Sequence, residues 1–260
     1  MSKSCVVVFP LYQAPTSLEL SFLENGLKRT AGYKQVIVAP EGLAIDQSFG
    51  TLQQLEVKRF AKHYFESIAG YNQLLLSRAF YGTFSLFDYI LIHQADVYLF
   101  KNELNIWCEK NYDYIGAPWF RPDKLNKGFL YKILERFKLI FKKNKLYGDR
   151  YNKVGNGGLS LRKVSSAIKV LAASPQHLLD KYRKSEGEAF NEDIFWSLEA
   201  PEILKGYSIP GWQEALHFSI EFYPEIAFQY LNEPLPFGCH APLKHQPEFW
   251  TFIPEIKSND

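Results

Sequence analysis

The sequence predicts an α/β fold: a mostly parallel central sheet flanked by helices, in one domain spanning residues 1–260. Three observations carry this. First, Cys5 to Pro10 (CVVVFP), Gln35 to Pro40 (QVIVAP) and Tyr89 to Ile92 (YILI) are short apolar, β-branched runs without polar alternation. That is the pattern of strands buried on both faces. Second, an amphipathic stretch separates the first two runs, and strand–helix–strand order implies a parallel crossover. Third, 260 residues with 47% hydrophobic content suffice for one large α/β core.

Taken in order, Cys5 to Pro10 is the first strand and Pro10 to Ser17 (PLYQAPTS) a loop. Thr16 or Ser17 can cap a helix running to about Arg29, with Leu20, Leu23 and Leu27 on one face. Gln35 to Pro40 is the second strand, and Leu52 to Phe60 a weaker third. Tyr71 to Phe84 reads as a helix whose apolar stripe includes Leu74, Leu75, Ala79 and Phe80. After the strand at Tyr89 comes a polar break at His93, Gln94 and Asp96, then a helix near Asn102 to Lys110. Tyr112 to Trp119 is a short strand ending at Gly116-Ala117-Pro118.

Lys124 to Arg150 differs from its surroundings. Nine basic residues stand against Glu135 and Asp149, leaving the rest of the chain acidic within a formal net charge of +2. Phe129, Ile133, Phe137, Ile140 and Phe141 fall on one helical face. The stretch reads as a basic amphipathic helical insertion. Its segment 127–145 can lie on an anionic membrane surface, or the aromatics can pack on the domain and leave the lysines solvated. Val154 to Arg162 (VGNGGLSLR) follows, with Gly155, Gly157 and Gly158 leading into a strand. A helix then covers Lys163 to Ser174, and a short helix opens at Asn191 to Trp196 (NEDIFW). The C-terminal third is rich in Pro and aromatics.

The totals exclude several classes. Cys5, Cys108 and Cys239 are scattered, with no CxxC pair and no zinc spacing. They read as reduced thiols of a cytoplasmic protein. The N-terminal apolar run is too short for a signal peptide, and no stretch approaches the ~20 apolar residues of a membrane span. The charge balance speaks against a nucleic-acid partner. No GxGxxG follows the first strand and no GxxxxGK[ST] occurs, which argues against a dinucleotide fingerprint and a P-loop.

Candidate site residues cluster in four places. Asp96 lies just beyond a buried strand, where ligands of open α/β sheets bind. Its carboxylate can hold Mg²⁺ or Mn²⁺ beside phosphate oxygens, or simply begin a turn. The loop Leu11 to Ala14 after the first strand can take a base and ribose, with Tyr12 stacking, or Pro10-Leu11-Tyr12 can be an ordinary turn. Glycines before a strand often mark close approach of a ligand, and Trp119 can form an acceptor platform or pack at its strand end. Glu192 and Asp193 can serve acid–base chemistry or complement a helix dipole.

Together the ordered motifs Gln94-Ala95-Asp96, Gly155-Asn156-Gly157-Gly158, Asn191-Glu192-Asp193 and Gly238-Cys239-His240 resemble those of GT-A fold glycosyltransferases, whose domain is Rossmann-like. More closely, YILIHQADVYLF, WCEKNYDYIGAPW, VGNGGLSLR, NEDIFW and LPFGCHA resemble a bacterial family known mainly as a domain of unknown function (DUF5672-like), over roughly Cys5 to Ala241. The resemblance implies transfer of a sugar from a nucleotide-sugar donor to a hydroxyl of a saccharide or lipid-linked glycan, inverting and metal-dependent. It implies a nucleotide-binding half over about 1–120 and an acceptor half over about 151–245. It assigns the metal (Mn²⁺ or Mg²⁺) to Asp96 and His240, and the donor to Pro10, Tyr12, Gln94, Asp96, Gly157 and Gly158. It assigns the acceptor to Trp119, Asn156 and Glu192, and the catalytic base to Asp193 with Glu192 as its competitor. Gln94 stands where the usual DxD motif has an acid, which lowers the negative charge there. The competing readings are a metal-dependent nucleotide-sugar hydrolase or phosphotransferase and a carbohydrate-binding module.

Overall fold

The computed structural model describes residues 3–119, 150–184, 190–231 and 234–257. The basic segment 127–145 lies outside them. Six strands form the central sheet: β1 (Cys5–Pro10), β2 (Lys34–Pro40), β3 (Glu56–Phe60), β4 (Tyr89–His93), β6 (Tyr114–Gly116) and β7 (Leu159–Lys163), in the order β3-β2-β1-β4-β7-β6. Every residue of β1 and β4 is buried, as their unbroken apolar runs require. Successive side chains point to opposite faces. Val7, Phe9 and Leu91 therefore enter the core on one side, while Val6, Val8, Ile90 and Ile92 enter the core on the other.

The sheet is mixed, with three parallel pairings and two antiparallel ones. β3, β2, β1 and β4 pair in parallel, but β7 runs antiparallel to both β4 and β6. Apolar runs record burial and not direction, so the reversal left no mark in the pattern. A second sheet was also not foreseen. It joins β5 (Val97–Leu99), β8 (Ser219–Ile220) and β9 (Gly238–His240) in the order β5-β9-β8. Its strands are two or three residues long, too short for any periodicity to emerge.

The helix α1 (Ser17–Arg29) begins with a full capping box between Thr16 and Glu19. Such a cap contributes about 1 kcal/mol. The single helix expected over Tyr71 to Phe84 is two, α2 (Ile68–Leu75) and α3 (Arg78–Thr83). Ser77 breaks the run by capping α3, its hydroxyl accepting the Phe80 N–H at 3.1 Å. The expected helix near Asn102 to Lys110 is α4 (Leu104–Glu109). No helix among the described residues is long and apolar enough to cross a membrane.

Candidate active site

Two strand pairings assemble the site. The β4–β7 ladder sets His93 opposite Leu159, and the Gln94 N–H donates to the Gly158 carbonyl at 3.0 Å. The β5–β9 ladder sets Val97 opposite His240, and the Ala241 N–H donates to the Asp96 carbonyl at 3.0 Å. Gln94, Asp96, Gly158 and His240 therefore meet at one end of the sheet. His240 Nε2 lies 3.2 Å from Asp96 Oδ1 and 3.3 Å from Gln94 Oε1. Gly158 is packed so closely on His240 that a Cβ there would overlap the imidazole.

Sequence reasoning missed Glu221. Its Oε1 accepts from His240 Nδ1 at 3.1 Å, its Oε2 accepts from the Asn156 amide, and His245 Nε2 stands 3.8 Å away. An acid following a two-residue strand in SIEFYPE offers no local motif. Asn156 itself adopts a left-handed backbone (φ 68°). Its Oδ1 accepts the Gly158 N–H at 2.8 Å, so the glycine turn is tied to the same cluster.

Charge follows from this geometry. Burial opposes a positive His240, but hydrogen bonds to Asp96 and Glu221, together with their charges, push its pKa up to about 10. Burial would raise the Asp96 carboxyl, yet His240 outweighs it and holds it below its ordinary value. His93, next along β4, behaves oppositely. Its ring is fully buried, burial pushes its pKa down to about 4, and its Nδ1–H donates to the Gln94 carbonyl at 3.0 Å. It is a neutral core histidine.

The residue types suit a divalent cation. Neighbouring donor atoms on such an ion stand about 3 Å apart, and the Asp96–His240 pair is already at 3.2 Å. Asp96 is half-exposed, 49% at its side chain, which leaves an open side for phosphate oxygens and water. Binding would displace the proton from His240 Nε2, so it would release protons. Among the described residues no group of three or more His, Cys, Asp and Glu is arranged to hold a metal alone. Two protein ligands plus substrate is the mode open to this site.

Asp193 is partly buried, and its Oδ1 accepts the Ile194 N–H at 2.8 Å. Burial first, then the negative charges of Glu192 and Glu221, push its pKa up to about 7. Glu192 is a different matter. Arg162 grips it with two hydrogen bonds of 2.8 and 2.9 Å, both side chains being almost wholly buried. The Asn72 side chain accepts its backbone N–H at 3.1 Å. Gly157 packs so tightly on this pair that a Cβ would overlap Glu192 Oε1. With both oxygens committed to a guanidinium, Glu192 is poorly placed as an acceptor ligand or competing base. A partner thirty positions away could not be read from NEDIFW.

The remaining candidates divide. Pro10 ends β1 at the same end of the sheet as Gln94, and Tyr12 just beyond it is 61% exposed. Among the described residues neither has a hydrogen bond or ring contact that joins it to the cluster. Trp119 is covered by Gly155, where a Cβ would overlap the indole, and the Arg150 guanidinium lies 5.8 Å from its ring centre. It packs at the start of the glycine turn.

A family model described as "Protein of unknown function (DUF5672)" matches residues 54–240, most of the chain. The protein belongs to the DUF5672 family. No curated protein matches it. The matched span of this DUF5672 chain runs from the end of the segment before β3 to the end of β9, and so includes Gln94, Asp96, the glycine turn, Asp193, Glu221 and His240.

Proposed function

We propose that this DUF5672 protein is a glycosyltransferase that moves a sugar from a nucleotide-sugar donor to a hydroxyl of a saccharide or lipid-linked glycan, with inversion. The observation that carries the reading is a pair of unlike acidic environments linked through Glu221, which pairs with His240 and whose charge acts on Asp193. One is the open Asp96–His240 pair, and the other is Asp193, poised near pH 7 beside Glu192 and Glu221. Asp96 and His240 would hold a divalent cation, which when bound supplies Lewis-acid stabilisation of a leaving diphosphate. Asp193, deprotonated, takes the proton of the acceptor hydroxyl as the hydroxyl attacks the anomeric carbon. A base with a pKa near the working pH is the efficient choice for that step. Glu192, locked to Arg162, fixes the backbone that carries Asp193 and keeps its carboxyl weakly acidic.

Asp193→Asn tests this. It keeps the shape and removes the basicity, so transfer should fall by ~10²–10⁴. Thermal shifts with nucleoside diphosphates and Mn²⁺ should stay near wild type. Transfer at close to the wild-type rate sinks the base assignment, and retained anomeric configuration in the product sinks inversion. Rapid donor consumption without acceptor points to a hydrolase instead.

The wild-type rate should rise with pH to a plateau, with its acidic limb centred near 7. The same group predicts a stability effect. The folded pKa of Asp193, about 7, lies above its ordinary 3.8, so the folded state keeps a proton that the unfolded state loses. Stability is therefore lost as pH rises from about 4 to about 7. Asp193→Asn removes that cost. Its melting temperature should exceed wild type by more at pH 8 than at pH 4, and an equal difference at both would contradict the shift.

A further inference from the structure

Glu221 has the environment of a working carboxylate and not of a structural ion pair. Among the described residues its ion-pair partners are histidines, His240 at 3.1 Å and His245 at 3.8 Å. Its side chain is only 11% exposed, so it is aimed inward. Its two oxygens are divided between His240 Nδ1 and the amide of Asn156. Asn156 uses its own carbonyl oxygen to hold the Gly158 N–H, and Gly158 walls the other side of the His240 ring. The imidazole is thus held at Nδ1 by the Glu221 carboxylate, with the Asn156 amide nitrogen also 3.0 Å from Nδ1, and is packed against Gly158, with Nε2 left towards Asp96 and Gln94.

We infer that Glu221 is a positioning residue: it holds His240 by Nδ1–H so that Nε2 is the nitrogen presented, with Asp96, to a divalent cation. The inference rests on the metal reading of the proposed function and deepens it. An imidazole ligand must offer one nitrogen in one orientation. A partner on the opposite nitrogen fixes both ring orientation and tautomer. Asn156 extends the control, because the same Glu221 carboxylate is tethered through it to the glycine turn. A displacement of that turn would therefore reach His240 along hydrogen bonds as well as by contact.

The test uses the full-length protein with Mn²⁺ alone as the probe, followed through the spectrum of free Mn²⁺, and imidazole ¹⁵N resonances of the metal-free protein. Glu221→Ala should weaken Mn²⁺ binding by about 10–100-fold, the usual cost of losing such a partner. It should also abolish the slowly exchanging Nδ1–H signal of His240. Glu221→Gln still offers a carbonyl oxygen to Nδ1–H and should lose less on both counts, even though it removes the same charge. Equal losses in the two variants would make charge, and not positioning, the cause, and would overturn the inference. So would an unchanged Nδ1–H signal in Glu221→Ala. If wild type binds no Mn²⁺, the metal reading fails on its own, and the imidazole signals alone decide whether Glu221 holds the ring. Melting curves show whether each variant is folded, and Glu221→Gln carries the test if Glu221→Ala is not.

Discussion

Two adjacent glycines face two unlike polar clusters. Gly157 abuts the Arg162–Glu192 pair, and Gly158 abuts His240 with its carboxylates Asp96 and Glu221. The first cluster is sealed. Its ions satisfy each other, with Arg162 Nε held by Ser160 at 3.0 Å and Nη1 by the Tyr81 hydroxyl at 3.1 Å. The second is open on the Asp96 side and holds one cation, His240, between two anions. The difference teaches how to separate a carboxylate that builds a fold from one that can meet a ligand. Burial alone does not do it, since Glu221 is also mostly buried. What separates them is whether the partner is a fixed cation, as Arg162 is with four of its five N–H donors in hydrogen bonds, or groups that can exchange a proton or a bond.

The comparison can be broken most violently at Glu192. Removing one member of a buried ion pair leaves an uncompensated charge, so Glu192→Ala should cost ~3–5 kcal/mol in urea unfolding. A loss below 1 kcal/mol would mean the cluster is not sealed. The glycines come next. A methyl group in a packed site costs ~1–3 kcal/mol. Gly157→Ala should sit at the upper end, because Glu192 cannot move away from Arg162. Gly158→Ala should sit at the lower end, because His240 can yield towards the open side, at the expense of Mn²⁺ binding. The reverse order in equilibrium unfolding would contradict the contrast. The smallest effect belongs to His245, at the rim of the open cluster. His245→Gln should change stability by about 0.5 kcal/mol or less, and a larger change would make it part of the cluster's framework.

Much of this was legible in the chain. The buried strands at Cys5, Gln35 and Tyr89 were plain, because unbroken apolar runs leave a strand little choice. Thr16 announced its helix through its own side chain. Asp96, the glycine turn and His240 were grouped only through the resemblance of their ordered motifs to a known family, and the structure brings Asp96, Gly158 and His240 to one end of the sheet. The failures have a common physical cause, which is dependence on distant partners. Glu192 looked reactive until Arg162 was seen to hold it. Glu221 looked like nothing, since its meaning comes from a histidine nineteen positions later. The direction of β7 depends on which end of β4 it meets, and no local pattern carries that information.

The reversal of β7 has a consequence for how this protein can vary. Because β7 runs back along β4, it starts at the end of the sheet where β4 finishes, so the glycine turn and Gln94 are neighbours on one hydrogen-bonded ladder. Their spacing is set by that ladder and not by the length of chain between them. The number of residues between Trp119 and Arg150 does not enter that spacing. A slip of one residue in the ladder is the change that cannot be tolerated. It would turn Arg162 to the other face of the sheet and put Leu161 or Lys163 in its place.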